Sequence, residues 1–427
     1  MVTAMTPEIK NRIDQIRRGQ VPEGYRKTQF GILPIGWKII TIKNCIEEYN
    51  RLSNDIDSIP VYSSSRNGLI LQSEYYDQKA ASKTNIGYKV VPPGYATYRH
   101  MSDDNIFHFN INNTSMEVLV SSEYPVFTSS DQAVLGFLIS VLNETDRFRY
   151  FCRTQKLGGT RTRLYLSNLQ KYRFGVPLIR EQQKIAEILA TQDKIIELKG
   201  ELIAEKQRQK KYLMQQLLTG RKRLAGYSKK WYAVKLKSIA KKEKLKNTDF
   251  TYSLVLSNSA QHGIIPQEEQ FDKEIASTDR IDEYYIVKNG YFVYNPRIST
   301  TAPCGPININ ETGNTGVMSP LYTVFSIDCD YIDNSYMKQY FKSTCWFRHM
   351  KSVANYGARH DRMSITDDDF FAMPIAVPEL EEQQAISAVF AVADKEISLL
   401  QQSLEQEKQK KKALMQLLLT GIVRVSL

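Results

Sequence analysis

Residues 177–220, PLIREQQKIAEILATQDKIIELKGELIAEKQRQKKYLMQQLLTG, and residues 378–421, PELEEQQAISAVFAVADKEISLLQQSLEQEKQKKKALMQLLLTG, are two copies of one segment. The copies align without gaps and are identical at about 19 of 44 positions. They start about 200 residues apart. A repeat with this spacing indicates duplicated domains and argues against a solenoid, whose repeats are short.

Each copy has the pattern of one long helix. Pro177 or Pro378 ends the preceding strand, the Glu-Gln-Gln sequence falls in the first turn, and Gly220 or Gly421 follows the last turn, where a left-handed cap is favoured. Apolar residues recur every seven residues between these ends, which is typical of a helix that packs along another helix. A helix of about 39 residues is roughly 58 Å long. We therefore expect the two copies to pack together, as an antiparallel or a parallel pair.

A polar stretch interrupts the apolar repeat in both copies, at Glu205 to Lys211 and at Glu405 to Lys412. A solvated middle of the helix is the favoured interpretation, and a surface that faces DNA or docks a protein is the alternative.

The repeat continues upstream with weaker similarity. The matching pairs are Gly94–Tyr98 with Gly290–Tyr294, Tyr124–Phe127 with Tyr322–Phe325, Gly159–Arg161 with Gly357–Arg359, and Gly36-Trp37 with Lys230-Trp231. The segments from about Gly36 to Gly175 and from Lys230 to Met373 contain short β-type runs separated by Asn, Gly, Pro and Ser. The runs are Tyr88–Val91, Ala96–Tyr98, Tyr291–Tyr294 and Leu321–Phe325, and Met337 to His349 reads as a helical patch. Each segment is therefore predicted to be a mixed α/β domain.

A short helix is predicted at the N-terminus, with Thr6 as its cap, Pro7 and Glu8 in its first turn, and Gly19 after its end. Its end leads to Gly24-Tyr25 much as the first long helix leads to Gly226-Tyr227. We therefore predict a circularly permuted repeat, in which this helix completes what the second long helix begins.

The composition fits a folded protein, with 42% hydrophobic and 24% charged residues. The net charge of +11 suits a polyanionic partner, although many basic proteins bind none. The five cysteines are widely spaced and form no CxxC pair, which favours neither disulfides nor zinc and suggests a reducing cytoplasm. No signal peptide and no apolar run of about 18 residues is present, so we expect a soluble cytoplasmic protein without membrane contact.

The sequence offers no reaction that we can assign. Phosphate-binding loops of P-loop or GxGxxG type are absent, as is HExxH, and the five histidines lack metal-ligand spacing. Asn295-Pro296-Arg297 comes nearest to the loop of an adenine methyltransferase but lacks its second proline and its aromatic residue, so we interpret it as a turn. Asp367-Asp368-Asp369 is interpreted as a solvated turn, with a carboxylate cluster as the alternative.

A mixed domain followed by a long helix that runs from Glu-Gln-Gln to Leu-Leu-Thr-Gly, and then both again, resembles the specificity subunit of type I restriction-modification enzymes. The resemblance covers essentially the whole chain. It is carried by the two Leu-Leu-Thr-Gly ends and by Gly31–Trp37, Pro177–Gln183, Gly316–Pro320 and Pro378–Gln384.

The resemblance implies an α+β protein in which two mixed α/β target-recognition domains are joined by two long helices. These helices would form an antiparallel coiled coil within a pseudo-twofold internal duplication. The implied boundaries are an N-terminal helix at 1–24, target-recognition domains at 25–176 and 221–377, and long helices at 177–220 and 378–427. Each domain would read one half of a bipartite site in double-stranded DNA, and the helices would set the spacing between the half-sites.

The same resemblance implies partners. Two methyltransferase subunits and the restriction subunits, which translocate and cleave DNA, would dock on this chain. S-adenosylmethionine, ATP and Mg would belong to those partners, so we expect no cofactor, metal or catalytic residue in this chain.

Basic residues beside Gly, Asn or Ser in loops that follow strands are our candidates for DNA contact. They are Arg66, Arg99, His100, Arg161 and Arg163 in the first domain, and His262, Arg297, Arg359, His360 and Arg362 in the second. Arg161 and Arg359 rank first because they occupy matching Gly-x-Arg positions, although a shared framework role would explain that match equally well. Two alternatives to the specificity subunit remain: a coiled-coil scaffold or adaptor, and a stand-alone DNA enzyme with an unfamiliar site.

Overall fold

A computed structural model describes residues 6–54, 59–75, 86–156, 160–270, 278–355 and 361–425. The chain divides into two compact units. Unit 1 comprises Met1–Lys199 together with Ser403–Leu427, and unit 2 comprises Gly200–Gln402. Each unit contains one mixed domain and parts of both long helices.

Unit 1 is built around a four-stranded antiparallel sheet with the strand order β10-β8-β12-β4. Its strands are β1 (Tyr25–Thr28), β2 (Gly31–Pro34), β3 (Lys38–Thr41), β4 (Ile46–Glu48), β5 (Tyr62–Ser65), β6 (Gly68–Leu71), β7 (Lys89–Val91), β8 (Ala96–Tyr98), β9 (Met101–Ser102), β10 (Phe109–Ile111), β11 (Val118–Val120), β12 (Val126–Ser129), β13 (Thr162–Arg163) and β14 (Arg173–Val176). Its shorter helices are α1 (Pro7–Arg17), α2 (Gln72–Tyr75), α3 (Leu135–Glu144), α4 (Asp146–Thr154) and α5 (Leu166–Leu169). The first long helix, α6 (Ile179–Leu217), starts in this unit.

Unit 2 repeats this arrangement with the strand order β21-β20-β23-β16. Its strands are β15 (Tyr232–Lys235), β16 (Ala240–Lys242), β17 (Leu256–Ser259), β18 (Gly263–Pro266), β19 (Tyr285–Val287), β20 (Phe292–Tyr294), β21 (Ile307–Ile309), β22 (Gly316–Met318), β23 (Thr323–Ile327) and β24 (Pro374–Val377). Its helices are α7 (Gln267–Gln270), α8 (Asn334–Lys342), α9 (Phe347–Val353), α10 (Asp367–Phe371) and the start of α11 (Leu380–Leu419). The smaller pairs correspond as well: β5–β6 to β17–β18, β7–β11 to β19–β22, and β3–β14 to β15–β24. The predicted fold class and internal duplication are confirmed.

The two long helices run antiparallel within each unit. In unit 1, the Nζ atom of Lys411 lies 2.5 Å from Oδ1 of Asp193. The equivalent pair in unit 2 joins Lys210 to Asp394, also at 2.5 Å. Lys206 adds a second bridge to Glu396 at 2.6 Å. Most of the polar stretch Glu205–Lys211 is exposed, so the middle of α6 is solvated and contributes ion pairs to the other helix.

Each domain core buries the start of one long helix and the end of the other. In unit 1, Ile185 and Leu189 of α6 share a core with Leu414 and Leu418 of α11. In unit 2, Ile386 and Phe390 of α11 share a core with Met214 and Leu217 of α6 and with Leu218 directly after it. Because the helices are antiparallel, the cores of both domains contain equivalent residues of the repeat, which come from different parts of the chain.

A buried ion pair, which we call the Glu–Arg clamp, holds each junction. In unit 2, Nε and Nη2 of Arg223 each donate to Glu382 at 2.6 Å, and the Glu382 side chain is only 2% exposed. In unit 1, Arg424 binds the fully buried Glu181 in the same two-pronged geometry. Each arginine follows a Leu-Leu-Thr-Gly end, and each glutamate belongs to the Glu-Gln-Gln start of the opposite helix. Each junction is therefore a contact between the start of one copy of the repeated segment and the residues that follow the end of the other copy.

Gly220 and Gly421 end the long helices in the left-handed conformation that the sequence predicted, with φ of +68° and +73°. A Cβ atom on Gly421 would come within 2.8 Å of Pro34 and 3.1 Å of Trp37. The same atom on Gly220 would be 3.5 Å from Trp231, an ordinary contact. Trp37 and Trp231 are therefore equivalent residues that cover the two helix ends.

The predicted N-terminal helix is present as α1, with Oγ1 of Thr6 accepting from the amide of Ile9 at 3.4 Å. Its Arg12 donates to the carbonyl of Ile422 at 3.0 Å, close to the end of α11. This contact agrees with a permuted repeat, although the predicted domain boundaries themselves stay a prediction.

Three local predictions were wrong. The patch from Met337 to His349 is two helices, because α8 ends at Lys342 and α9 starts at Phe347. The strand predicted from Leu321 starts at Thr323, and Leu321 is exposed in the preceding turn. Asp367-Asp368-Asp369 forms the first turn of α10, where Thr366 caps Asp369 and carboxylates suit the helix dipole. The turn at Asn295 is confirmed, since its Oδ1 accepts from the amide of Arg297 at 2.9 Å.

Candidate nucleic-acid interface

Four of the candidate arginines in unit 1 lie around two neighbouring loops. Arg66 is in the turn between β5 and β6, and Arg99 follows β8. Arg163 is in β13, which pairs with β9 so that Arg163 lies opposite Met101. Arg161 precedes β13, and its Nε lies 2.8 Å from Oδ1 of Asp103 in the loop after β9. The fold thus assembles side chains that are almost 100 residues apart in sequence.

Two aspartates hold part of this basic group. Arg66 pairs with Asp104, and Arg161 pairs with Asp103. Arg99 is exposed and makes no hydrogen bond or ion pair with any described residue. Surface pairs of this kind contribute little stability, typically about 0–1 kcal/mol, so both arginines can exchange a carboxylate for a phosphate or a base edge at small cost.

His100 differs from the other candidates because its side chain is only 4% exposed. The ring stacks on Tyr165 with 5.6 Å between centroids, and Nε2 lies 3.8 Å from the Glu123 carboxylate. Burial lowers the pKa of His100, which favours the neutral ring. A buried neutral ring offers no surface to DNA in this structure, so its placement argues against direct contact and for a packing role beneath Tyr165.

A cavity of about 290 Å³ opens between the β5–β6 turn and the loop after β9. Arg66, Arg99, Ser102 and His108 are among its lining residues. Burial lowers the pKa of His108. His108 was not among the predicted contact residues, because no turn signal marks it in the sequence.

In unit 2, the structure brings Arg297 and Arg362 together through an antiparallel backbone bridge. Arg297 is 68% exposed, and its Nε lies 3.7 Å from Oδ2 of Asp361. The predicted contacts Arg359 and His360 lie outside the described residues. The described part of this loop therefore places two arginines side by side, Arg297 exposed and Arg362 half-buried.

Backbone hydrogen bonds show which described residues of these loops are equivalent in the two units. Leu164 donates its amide to the carbonyl of His100 at 2.8 Å, and Met363 donates to the carbonyl of Pro296 at 2.9 Å. These equivalent bonds make Arg362 the counterpart of Arg163, which precedes Leu164. The predicted match of Arg161 with Arg359 differs from this register by one residue, and it stays a prediction because Arg359 lies outside the described residues.

His262 occupies the β17–β18 turn, the counterpart of the turn that holds Arg66. It is exposed and lines a cavity of about 330 Å³, together with Asn308, Lys338, Lys342 and Trp346. Neither Arg297 nor Arg362 is among the described residues that line this cavity. Lys338 and Lys342 were missed in the sequence because they lie on a helix and not beside a turn residue.

An Asn-x-Asn-x-Thr sequence forms hydrogen bonds next to the β5–β6 turn and to the β17–β18 turn. It was not among the residues predicted from the sequence. Nδ2 of Asn110 donates to Oγ of Ser64 at 2.8 Å, and Nδ2 of Asn308 donates to Oδ1 of Asn258 at 2.7 Å. Two residues on, Asn112 donates to the carbonyl of Val91 at 2.9 Å, and Asn310 makes the equivalent bond. The repeat NINNT with NINET was the available signal. These amides attach the strands beside each turn to the neighbouring sheet in the same way in both units.

Two other features are absent from the described residues. No group of three His, Cys, Asp or Glu side chains there is arranged to hold a metal ion. In the same part of the chain, no helix combines the length and the apolar character needed to cross a membrane.

Comparison with known families gives a match over residues 50–207, which fit the model of the type I restriction modification DNA specificity domain. A relative of similar length is the putative type I restriction enzyme MjaX specificity subunit of Methanocaldococcus jannaschii. It is 22% identical over 452 residues, which cover 94% of this chain and 97% of the relative.

Two solved structures share the fold. The type I restriction-modification S subunit from M. genitalium aligns with a TM-score of 0.52 at 10% identity and covers 90% of this chain and 96% of that one. A chain from a structure titled as the structural basis of complex assembly and conformational transition of the type I R-M system aligns with a TM-score of 0.51 at 16% identity, covering 92% and 99%. The duplicated domains and the antiparallel long helices agree with the fold of these S subunits, and residues 50–207 match the type I restriction modification DNA specificity domain.

Proposed function

We propose that this chain reads a bipartite sequence in double-stranded DNA, with unit 1 reading one half-site and unit 2 the other. The proposal is supported by the match of residues 50–207 to a DNA specificity domain. The observation that carries the proposal is a shared framework with different exposed side chains. Arg66 lies in one turn and His262 in its counterpart, and Met101 is replaced by Arg297.

Such a difference suits two dissimilar half-sites, since identical readers would suit a palindrome. Arg163 and Arg362 are the preferred base-reading residues, because an arginine can bind a guanine edge through two hydrogen bonds. Arg66, Arg99 and Arg161 are assigned to the DNA backbone or to bases on the same side of unit 1. The untested candidates Arg359 and His360 remain part of the proposal for unit 2.

The test is methylome sequencing of a host with and without this gene. The expected result is one methylated motif made of two short sequences with a fixed gap between them, lost when the gene is deleted. Methylation at an unsplit motif, or a motif unaffected by the deletion, would contradict the proposal.

The long helices are proposed to set the gap. Seven residues added to each helix at facing positions lengthen it by about 10 Å, close to three base pairs, and keep the seven-residue repeat. We expect the preferred gap to increase by about that amount. The control variant replaces the same seven residues without adding any, and an unchanged gap in the longer variant would refute this role.

Docking of two methyltransferase subunits and of restriction subunits is the further part of the proposal. In unit 2, Val392 and Leu399 are seven residues apart on α11 and are 69% and 55% exposed. Exposed apolar side chains at this spacing suit a helix of a partner protein. The double variant Val392→Lys, Leu399→Lys is expected to lose co-purification with the methyltransferase subunit and to keep its affinity for DNA. We assign S-adenosylmethionine, ATP and Mg to these partners, and calorimetric titration of the isolated chain with each tests that assignment.

A further inference from the structure

One position of the shared framework differs between the units in a way that opens a cavity. In unit 1, Asn143 near the end of α3 binds the backbone of β10 on both sides. Its Oδ1 accepts from the amide of Phe109 at 2.9 Å, and its Nδ2 donates to the carbonyl of Phe109 at 3.0 Å. The asparagine thereby closes the helix end onto the strand.

Lys342 takes this position in unit 2. The starts of α3 and α8 are equivalent because Gln182 accepts from the amide of Val134, and Gln383 accepts from the amide of Asp333. Counting the same number of residues from each start leads to Asn143 and to Lys342. A lysine has only donors and cannot accept from a backbone amide, so the two-sided closure onto β21 is lost. The cavity of about 330 Å³ lies there instead.

The charge in this cavity is not balanced. Lys338, one turn earlier on α8, donates to Oε1 of Glu311 at 2.7 Å, so these two lining charges cancel. Lys342 makes no hydrogen bond or ion pair with any residue that the structure describes. Burial and the nearby Lys338 and Lys210 lower the pKa of Lys342, whereas Asp394 and Glu311 act to raise it. An anion in the cavity would relieve that repulsion.

The cavity also opens at the proposed DNA-reading surface. His262, in the β17–β18 turn, and Asn308, in β21, are among its lining residues. The counterpart of this turn carries Arg66 in unit 1. A group bound next to Lys342 would therefore lie beside the side chains that we assign to reading the second half-site.

We propose that this cavity binds one phosphate of the DNA backbone, with Lys342 as its counter-charge. The inference rests on the proposed function, because DNA supplies the phosphate. A lysine ammonium is a compact charge suited to a phosphate, and such contacts position a reader on its site without selecting bases. Unit 1 has no equivalent contact, since Asn143 already binds the backbone.

The first test measures binding of the full-length chain to a 40-base-pair duplex between 50 and 300 mM salt. Lys342→Met is expected to weaken binding about threefold to tenfold for all sequences and to lower the slope of log K against log salt by about one. Lys342→Asn should behave alike and can restore the bond that Asn143 makes, which guards against misfolding. Lys342→Arg should retain the slope. Lys395→Met, which removes one exposed charge from α11, is the matched control.

The second test measures acetylation of each lysine by mass spectrometry without ligand, with inorganic phosphate, and with the duplex. Protection of Lys342 by the duplex at a concentration where inorganic phosphate gives none supports the inference. Equal protection by inorganic phosphate would identify a site for free phosphate and overturn it. A chain that binds the duplex while Lys342 stays reactive, or while Lys342→Met keeps the full slope, overturns this inference alone. A chain that binds no duplex overturns the proposed function as well.

Discussion

Removal of Arg223 is expected to destabilise unit 2 far more than removal of the charge on its partner. The Glu382 carboxylate is 2% exposed and receives two hydrogen bonds of 2.6 Å from Arg223 and one of 3.0 Å from Nε1 of Trp231. Arg223→Met leaves a buried carboxylate with the indole as its remaining partner. Stranding a buried charge in this way costs about 3–5 kcal/mol.

Glu382→Gln is the informative comparison. The Arg223 side chain is 25% exposed, so water can solvate it once the carboxylate is gone. We expect a loss of about 1–2 kcal/mol, close to that of a hydrogen bond to a charged group. The control is Arg221→Met. Arg221 is exposed and lies two residues before Arg223, so this substitution should change the free energy of unfolding by less than about 0.5 kcal/mol.

Calorimetry of the full chain measures these differences as shifts in the Tm of the thermal unfolding transition of unit 2. For a unit of this size, about 3 kcal/mol corresponds to a lower Tm by about 6–12 °C. The expected order of the losses is Arg223→Met, then Glu382→Gln, then Arg221→Met. If the first two variants lose the same small amount, the carboxylate is better solvated than the structure implies, and the reasoning is refuted.

Three further predictions follow from contacts described above. Gly421→Ala should lower the Tm of unit 1 more than Gly220→Ala lowers the Tm of unit 2. Both substitutions place alanine at positive φ, which costs about 1–2 kcal/mol, but only Gly421→Ala forces the new methyl group into its neighbours. Equal losses would contradict this prediction. Hydrogen bonds from Gln192 and Lys199 lower the pKa of Glu407 to about 2 from its ordinary value of 4.5. The stability that Glu407 contributes is therefore present above pH 4.5 and lost as the pH falls towards 2, so urea unfolding of Glu407→Gln and of the parent chain should converge in acid and not at pH 7. Arg163→Ala and Arg362→Ala should each relax the methylated motif in one half-site only, at a cost of about 1–3 kcal/mol in DNA binding, and loss of both half-sites from one substitution would argue for a structural role.

The long helices could be predicted because their signals are local. The proline before each helix, the seven-residue apolar spacing and the glycine after Leu-Leu-Thr all act within a few turns, and the structure confirms the left-handed Gly220 and Gly421. Their antiparallel direction could not be derived from that spacing alone. It depends on contacts such as that of Asp193 with Lys411, which join residues more than 200 positions apart.

For the candidate interface, the sequence predicted the loops that carry it but not which of their side chains are exposed. A basic residue beside a turn signal marks a loop, but it does not show whether the side chain is buried. His100 and Arg99 are neighbours in sequence, yet the first lies under Tyr165 and the second is exposed. The equivalence of Arg163 and Arg362 could not be derived from the sequence either, because it is fixed by backbone bonds to a distant strand.

The discontinuity of unit 1 has a consequence for the order of synthesis. Unit 2 is continuous in sequence and can begin to fold as soon as residue 402 has left the ribosome. Most of unit 1 is made before that point, but its core also needs Leu414 and Leu418, and its clamp needs Arg424. The domain that is translated first is therefore completed last. A frameshift near codon 400 should expose the apolar core of unit 1 to proteases and chaperones while unit 2 stays folded.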